Sequence, residues 1–161
     1  MSELLPARFD DSAWPLLLVY MPPLMNNMTA IKSIIDGFDA VYRRNERFAS
    51  ILNGSAVAKF PGSAERKVLM DWVGQESRLA LERRLSVATG LVLTSGPMRA
   101  FVSAINWVTR PVSPQKVTAT QEEAVEWCCE RLQAAGIVLP PAVGALRTRR
   151  PPSSRVSPRS R

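Results

Sequence analysis

The chain is predicted to fold as an α/β domain. Its central sheet is mainly parallel, with four to five strands, an N-terminal antiparallel edge hairpin and about four helices. Three observations predict this. Leu85 to Ser95 is short, uncharged and rich in Leu, Val and Thr, the pattern of a strand buried on both faces. Gly96-Pro97 then breaks the run and opens a stretch with no further breaker until Pro111, so a buried strand feeds a helix. Strand-like and helix-like segments also alternate along the chain with crossovers long enough to hold a helix, which implies parallel pairing with right-handed connections.

The elements follow in order. Ala7 to Asp10 reads as a short edge strand, Asp11-Ser12 as a turn, and Trp14 to Tyr20 as a strong strand through Leu16, Leu17, Leu18 and Val19. The tight turn makes the pair an antiparallel hairpin. Asn26 or Asn27 caps a helix whose Met28, Ile31, Ile35, Phe38 and Tyr42 share one face. Gly37 weakens that helix by ~1 kcal/mol against Ala, so packing must hold it. Phe48 to Asn53 is the second central strand. A loop from Asn53-Gly54-Ser55 to Pro61-Gly62-Ser63 follows, with Ser63 as N-cap of a helix running from Ala64 to about Arg83. Leu85–Ser95 is the third central strand, with Val92 buried, and Pro97 to Thr109 the helix behind it. Lys116 to Ala119 is a short strand. Thr120-Gln121-Glu122-Glu123 is a capping box, followed by Val125, Cys128, Cys129 and Leu132 at i, i+3, i+4 and i+7, with Gly136 as terminator.

Composition narrows the chemistry. The chain has 161 residues, 46% of them apolar, consistent with one domain and a substantial core. No run reaches the ~18–20 apolar residues of a membrane helix. Glu3 and the absence of a basic start argue against a secretory signal, so a cytoplasmic location is expected. There is no histidine, which removes Ser-His-Asp triads, Cys-His pairs and histidine bases. The two cysteines, Cys128 and Cys129, are helix neighbours about 100° apart. They read as core, and no metal, cofactor or catalytic residue is assigned. The protein is expected not to be an enzyme.

The net charge of +7 belongs to the C-terminus. Residues 140–161 carry Arg147, Arg149, Arg150, Arg155, Arg159 and Arg161 and no acid, leaving 15 basic against 14 acidic groups before them. The predicted organisation is a folded domain over 1–139 and a disordered Pro/Ser/Arg-rich basic tail over 140–161.

In parallel sheets ligands meet the carboxyl ends of strands. Two of those ends run into helix starts, Gly62-Ser63 and Ser95-Gly96, where free N–H groups could receive an anion. Asn53 and Ser55 lie on the same rim. There is no GxGxxG or GxxxxGK[ST] pattern, and serine at a helix start usually only caps. Ser63 is the candidate regulatory position. Trp107 and Arg110, near the end of their helix, are the candidate partner surface.

In the residues Phe9-Asp10, Trp14-Pro15, Arg66 to Trp72, the Leu85–Ser95 strand entering Pro97-Met98-Arg99, Asn106-Trp107, Glu122-Glu123-Ala124 and Trp127, the chain resembles the STAS-like fold of bacterial anti-sigma factor antagonists and, more closely, small bacterial proteins of the STAS/SEC14-like type. The resemblance covers roughly residues 5 to 136. It implies a fold used for protein interaction and small-ligand sensing. STAS antagonists carry a phosphorylatable Ser or Thr in an Asp-Ser-Ser-Gly-like motif. The matching region, Asn53 to Ser63, lacks that motif, and Ser63 and Ser55 are the nearest positional equivalents. The expected role is therefore a regulatory or protein-interaction domain, or a ligand-sensing module. The alternative is a module whose basic tail contacts nucleic acid or an anionic membrane surface.

Overall fold

The computed structural model describes residues 4–146. Strand β1 (Arg8–Ala13) pairs antiparallel with β2 (Leu16–Tyr20), and β2, β3 (Phe48–Asn53), β4 (Ser86–Val92) and β5 (Gln115–Thr118) are parallel, in the sheet order β1-β2-β3-β4-β5. Helix α1 (Met28–Arg43) links β2 to β3. Helices α2 (Ser63–Val73) and α3 (Glu76–Leu85) link β3 to β4, and α4 (Gly96–Val108) links β4 to β5. Helices α5 (Gln121–Ala134) and α6 (Val143–Leu146) follow.

Strand alternation divides the core in two. Leu16, Leu18, Ala49, Ile51, Ala88 and Val92 face α5 and α6. Leu17, Val19, Phe48, Leu91 and Leu93 face α1 to α4. Val92 is 2% exposed, on a strand flanked by β3 and β5, so β4 is central as expected. Gly90 permits the closest helix approach: a Cβ there would sit 3.2 Å from Ala124 Cβ and 3.3 Å from Cys128 Sγ. Gly37 also finds its reason. The Phe9 ring lies against it, 2.1 Å from where a Cβ would be, and meets Phe38 edge-on.

Several expectations are corrected. Trp14 is not in the strand. Trp14-Pro15 forms the hairpin turn with a cis peptide bond, and β2 begins at Leu16. The single helix over 64–83 is two helices, broken at Gly74-Gln75, whose Gly74 N–H still bonds the Met70 carbonyl as the first helix ends. Leu85 closes α3 rather than opening β4, and β4 ends at Val92. The helices number six among the described residues, not about four. The boundary at Leu139 falls short. Val143 and Leu146 are buried in the α5 face of the core, and Gln121 Nε2 donates to the Leu146 carbonyl. The tail arginines, Arg147, Arg149, Arg150, Arg155, Arg159 and Arg161, lie outside the described residues. Among the described residues no helix is long and apolar enough to cross a membrane.

Candidate functional site

The rim residues singled out by sequence are engaged in local structure. Asn53 is buried, and its Oδ1 accepts from the Ser55 backbone N–H at 3.0 Å and from Ser55 Oγ at 2.6 Å. Its Nδ2 donates to Gln121 Oε1 at 2.9 Å, which ties the end of β3 to the start of α5. The loop beyond folds back over β2, with Ala58 N–H donating to the Pro23 carbonyl and Met25 N–H to that of Lys59. This loop closes much of the carboxyl rim.

Ser63 is not a cap. Gly62 holds the N-cap position of α2 with no side-chain bond, and Ser63 is the first helical residue, exposed. Glu65 Oε2 lies 2.7 Å from where a Cβ on Gly62 would be, so a carboxylate already faces the positive helix end and opposes a second anion. Ser95 does cap its helix: Oγ accepts from Met98 N–H at 3.2 Å, beside an exposed Gly96. Trp107 and Arg110 are exposed, Trp107 at 89%, next to an exposed Val108.

The larger feature lies beneath the helices. A cavity of about 190 Å³ runs along β4 from Ser86 to Leu93, between the sheet and α1 to α4. Its walls are mainly apolar: Leu52, Leu69, Leu91, Met98, Phe101 and Val102 among others. Protein interiors are normally close-packed. This space is partly open to solvent, so its apolar walls lack the packing contacts that a bound molecule would supply.

Helix α4 roofs the cavity lightly. Its inner face presents Met98, Phe101, Val102 and Ile105 at i, i+3, i+4 and i+7, yet only Met98 is fully buried. Its tethers are the Phe60–Phe101 ring contact at 6.1 Å, Arg99 Nη2 donating to the Leu93 carbonyl, and Asn106 Nδ2 donating to Gln115 Oε1. A shallow groove between α2 and α4 shares Leu69, Phe101 and Ile105 with the cavity, so these three side chains stand between the two.

Polar groups also line it, Ser86, Thr109 and Arg110 among them, and two polar arrangements bear on what it could hold. One is a buried ion pair, Arg78 Nη2 to Glu82 Oε2 at 2.7 Å. Arg78 also donates from Nε to the Val73 carbonyl and from Nη1 to Tyr42 Oη, and stacks on Trp72 at 4.7 Å. It thus binds α1, α2 and α3 together, and its charge is matched by Glu82. Burial, reinforced by the Glu82 carboxylate, pushes the Tyr42 phenol up to about 12, so it stays neutral. The other is a row across the sheet. Ser50 pairs with Thr89 and Thr89 with Gln115 in register, so all three side chains rise from one face at one level and line the cavity. Gln115 is bonded to Asn106. Among the described residues, no side-chain hydrogen bond engages the Ser50 or Thr89 hydroxyl, and no fully buried side-chain polar atom lacks a partner, so these two hydroxyls open onto the cavity.

Sequence reading missed this row because it assigned Ser50 and Thr89 only to strands. The available signal was a hydroxyl at the centre of each of two strands read as buried. No protein-family model, curated protein or solved structure matches the chain.

Proposed function

We propose that the protein is a non-enzymatic regulatory domain that holds a small molecule in the cavity beneath α4 and reports its occupancy to a protein partner. The observation that carries this reading is the cavity itself: about 190 Å³, largely apolar, with a few convergent polar groups. A ligand bound there covers apolar surface and stabilises the folded state by mass action. The reporting half rests on α4, whose inner face lines the cavity while its outer face exposes Trp107 and Val108. The resemblance to STAS-like antagonists, which act through protein partners, supports the same half. The test is a thermal-denaturation titration of the full chain with p-xylene and p-cresol. A saturable rise in Tm, absent from a filled variant such as Leu52→Trp, is expected. No rise with either probe overturns the reading.

A second reading has its own observation, the six acid-free arginines of residues 147–161. Salt-sensitive retention on DNA or anionic vesicles that disappears when those residues are removed would favour it.

A further inference from the structure

The cavity's polar groups narrow what it takes. Of the charged residues lining it, Arg78 and Glu82 neutralise each other at 2.7 Å, and Arg110 is exposed. A charged ligand inside would need a counter-charge, and the paired ion couple supplies none. A wholly apolar ligand would leave the Ser50 and Thr89 hydroxyls unbonded and dry, which is itself costly. These hydroxyls sit on neighbouring strands as register partners, so they stand side by side on the cavity floor, about one strand spacing apart.

We infer that the cavity is a site for a compact, uncharged molecule with an apolar body and one hydroxyl-like group, seated with that group on Ser50 and Thr89. A hydroxyl both donates and accepts, so it can satisfy both side chains at once. The Gln115 amide, the next group in the row, stands within the same line. Size follows from volume. An apolar cavity of ~150 Å³ holds benzene, so about 190 Å³ takes a substituted benzene or a short branched alcohol. The body would lie against Leu52, Leu91, Met98 and Phe101. This inference rests on the ligand-holding role proposed above and names its chemistry.

The experiment uses the full chain at pH 7 and three probes of matched shape: p-cresol, p-xylene and p-toluate. Affinities come from the concentration dependence of Tm, with Trp72, which lines the cavity, as a fluorescence reporter. We expect p-cresol to bind about tenfold more tightly than p-xylene, the size of one or two net hydrogen bonds, and p-toluate not to bind. The double variant Ser50→Ala, Thr89→Val should lose that preference and keep its p-xylene affinity. If the double variant does not fold, Thr89→Val alone is used. It preserves shape and should lower the preference about threefold, while Thr89→Ser should retain it. Equal binding of p-cresol and p-xylene to the wild type, or a preference that survives both substitutions, overturns the inference and leaves the ligand-holding role standing. Tighter binding of p-toluate overturns it in favour of an anionic ligand. Saturable binding by none of the three overturns the ligand-holding role as well.

Discussion

At the scale of single residues, position decides whether a serine or threonine matters. Ser63 and Thr120 both stand at helix starts, but only Thr120 caps, its Oγ1 accepting from Glu123 N–H at 3.2 Å. Thr120→Ala should therefore cost about 1 kcal/mol. Ser63→Ala should change stability by less than about 0.5 kcal/mol, since the residue is exposed and bonds nothing that would be lost. Paired denaturant melts check both, and a Ser63→Ala loss as large as that of Thr120→Ala would put a cap where the structure has none. Arg78 and Glu82 show the opposite regime. With the pair buried, Glu82→Gln strands a cation among apolar side chains and should cost about 3 kcal/mol. By contrast, the exposed Lys67–Asp71 pair should be worth almost nothing.

Buried Cys128 and Tyr42 both contribute to an alkaline limit. Burial raises Cys128 from 9.0 and Tyr42 from 10.0, each to about 12, with the neighbouring Cys129 and Glu82 charges adding to the respective effects. Both groups are raised, so below pH 9 each is neutral whether the chain is folded or not, and its contribution is fully present. As pH climbs, the unfolded chain releases these protons first and stability falls. The decline should begin near pH 9 and steepen above pH 10. Cys128→Val removes the Cys128 contribution, so its melts should fall less between about pH 9 and 10 than those of the wild type. Chemical denaturation across pH 8–11 measures this. A wild-type curve that is flat over that range contradicts the burial of both groups.

At the scale of elements, sequence and structure agree where a local signal is enough. Thr120 caps the helix behind it where expected, although among the described residues the reciprocal Glu123 side-chain bond of a full capping box is not made, and Gly136 takes the left-handed conformation just past the end, at φ 77°. The buried run around Val92 is a central strand for the reason its composition suggests. Helix ends marked by ambiguous residues were less legible. Gly74 lies inside an otherwise helical pattern, and the break is held by the Gln75 N–H on the Trp72 carbonyl and by Arg78, reaching back to the Val73 carbonyl and across to Tyr42. The candidate site was not legible at all. Ser50, Thr89 and Gln115 are far apart in sequence, and they join only through the register of three parallel strands. A one-residue slip in any of them would turn its side chain to the other face. The same close packing makes Gly90 sensitive. Gly90→Val should destabilise by about 2 kcal/mol or more by pushing α5 off the sheet, readable as a drop in Tm, whereas a neutral effect would show slack between β4 and α5.

At the scale of the molecule, the boundary of the folded unit follows burial rather than composition. Pro140-Pro141 looked like the start of a tail, yet Val143 and Leu146 complete the core beneath α5. Ending the chain after Leu139 should remove about 2–4 kcal/mol of apolar burial and lower Tm by roughly 5–15 °C. Ending it after Leu146 should leave Tm within a few degrees. Equal melting of the two truncations would show that α6 contributes nothing. The two faces of the sheet also differ in kind. On the α5 side, Gly90 lets helix and strand touch. The side under α1 to α4 is left open beneath a lightly tethered roof, and it is there that the unbonded hydroxyls lie.

That asymmetry is most directly tested by amide-resolved NMR of the full chain titrated with p-cresol. Saturable shifts confined to residues around the cavity, Ser50, Thr89, Leu91, Val102 and Ile105, with Cys128 and Leu132 on the opposite face unchanged, are the predicted result. Shifts that do not saturate, or that scatter over both faces of the sheet, would contradict a ligand site beneath α4.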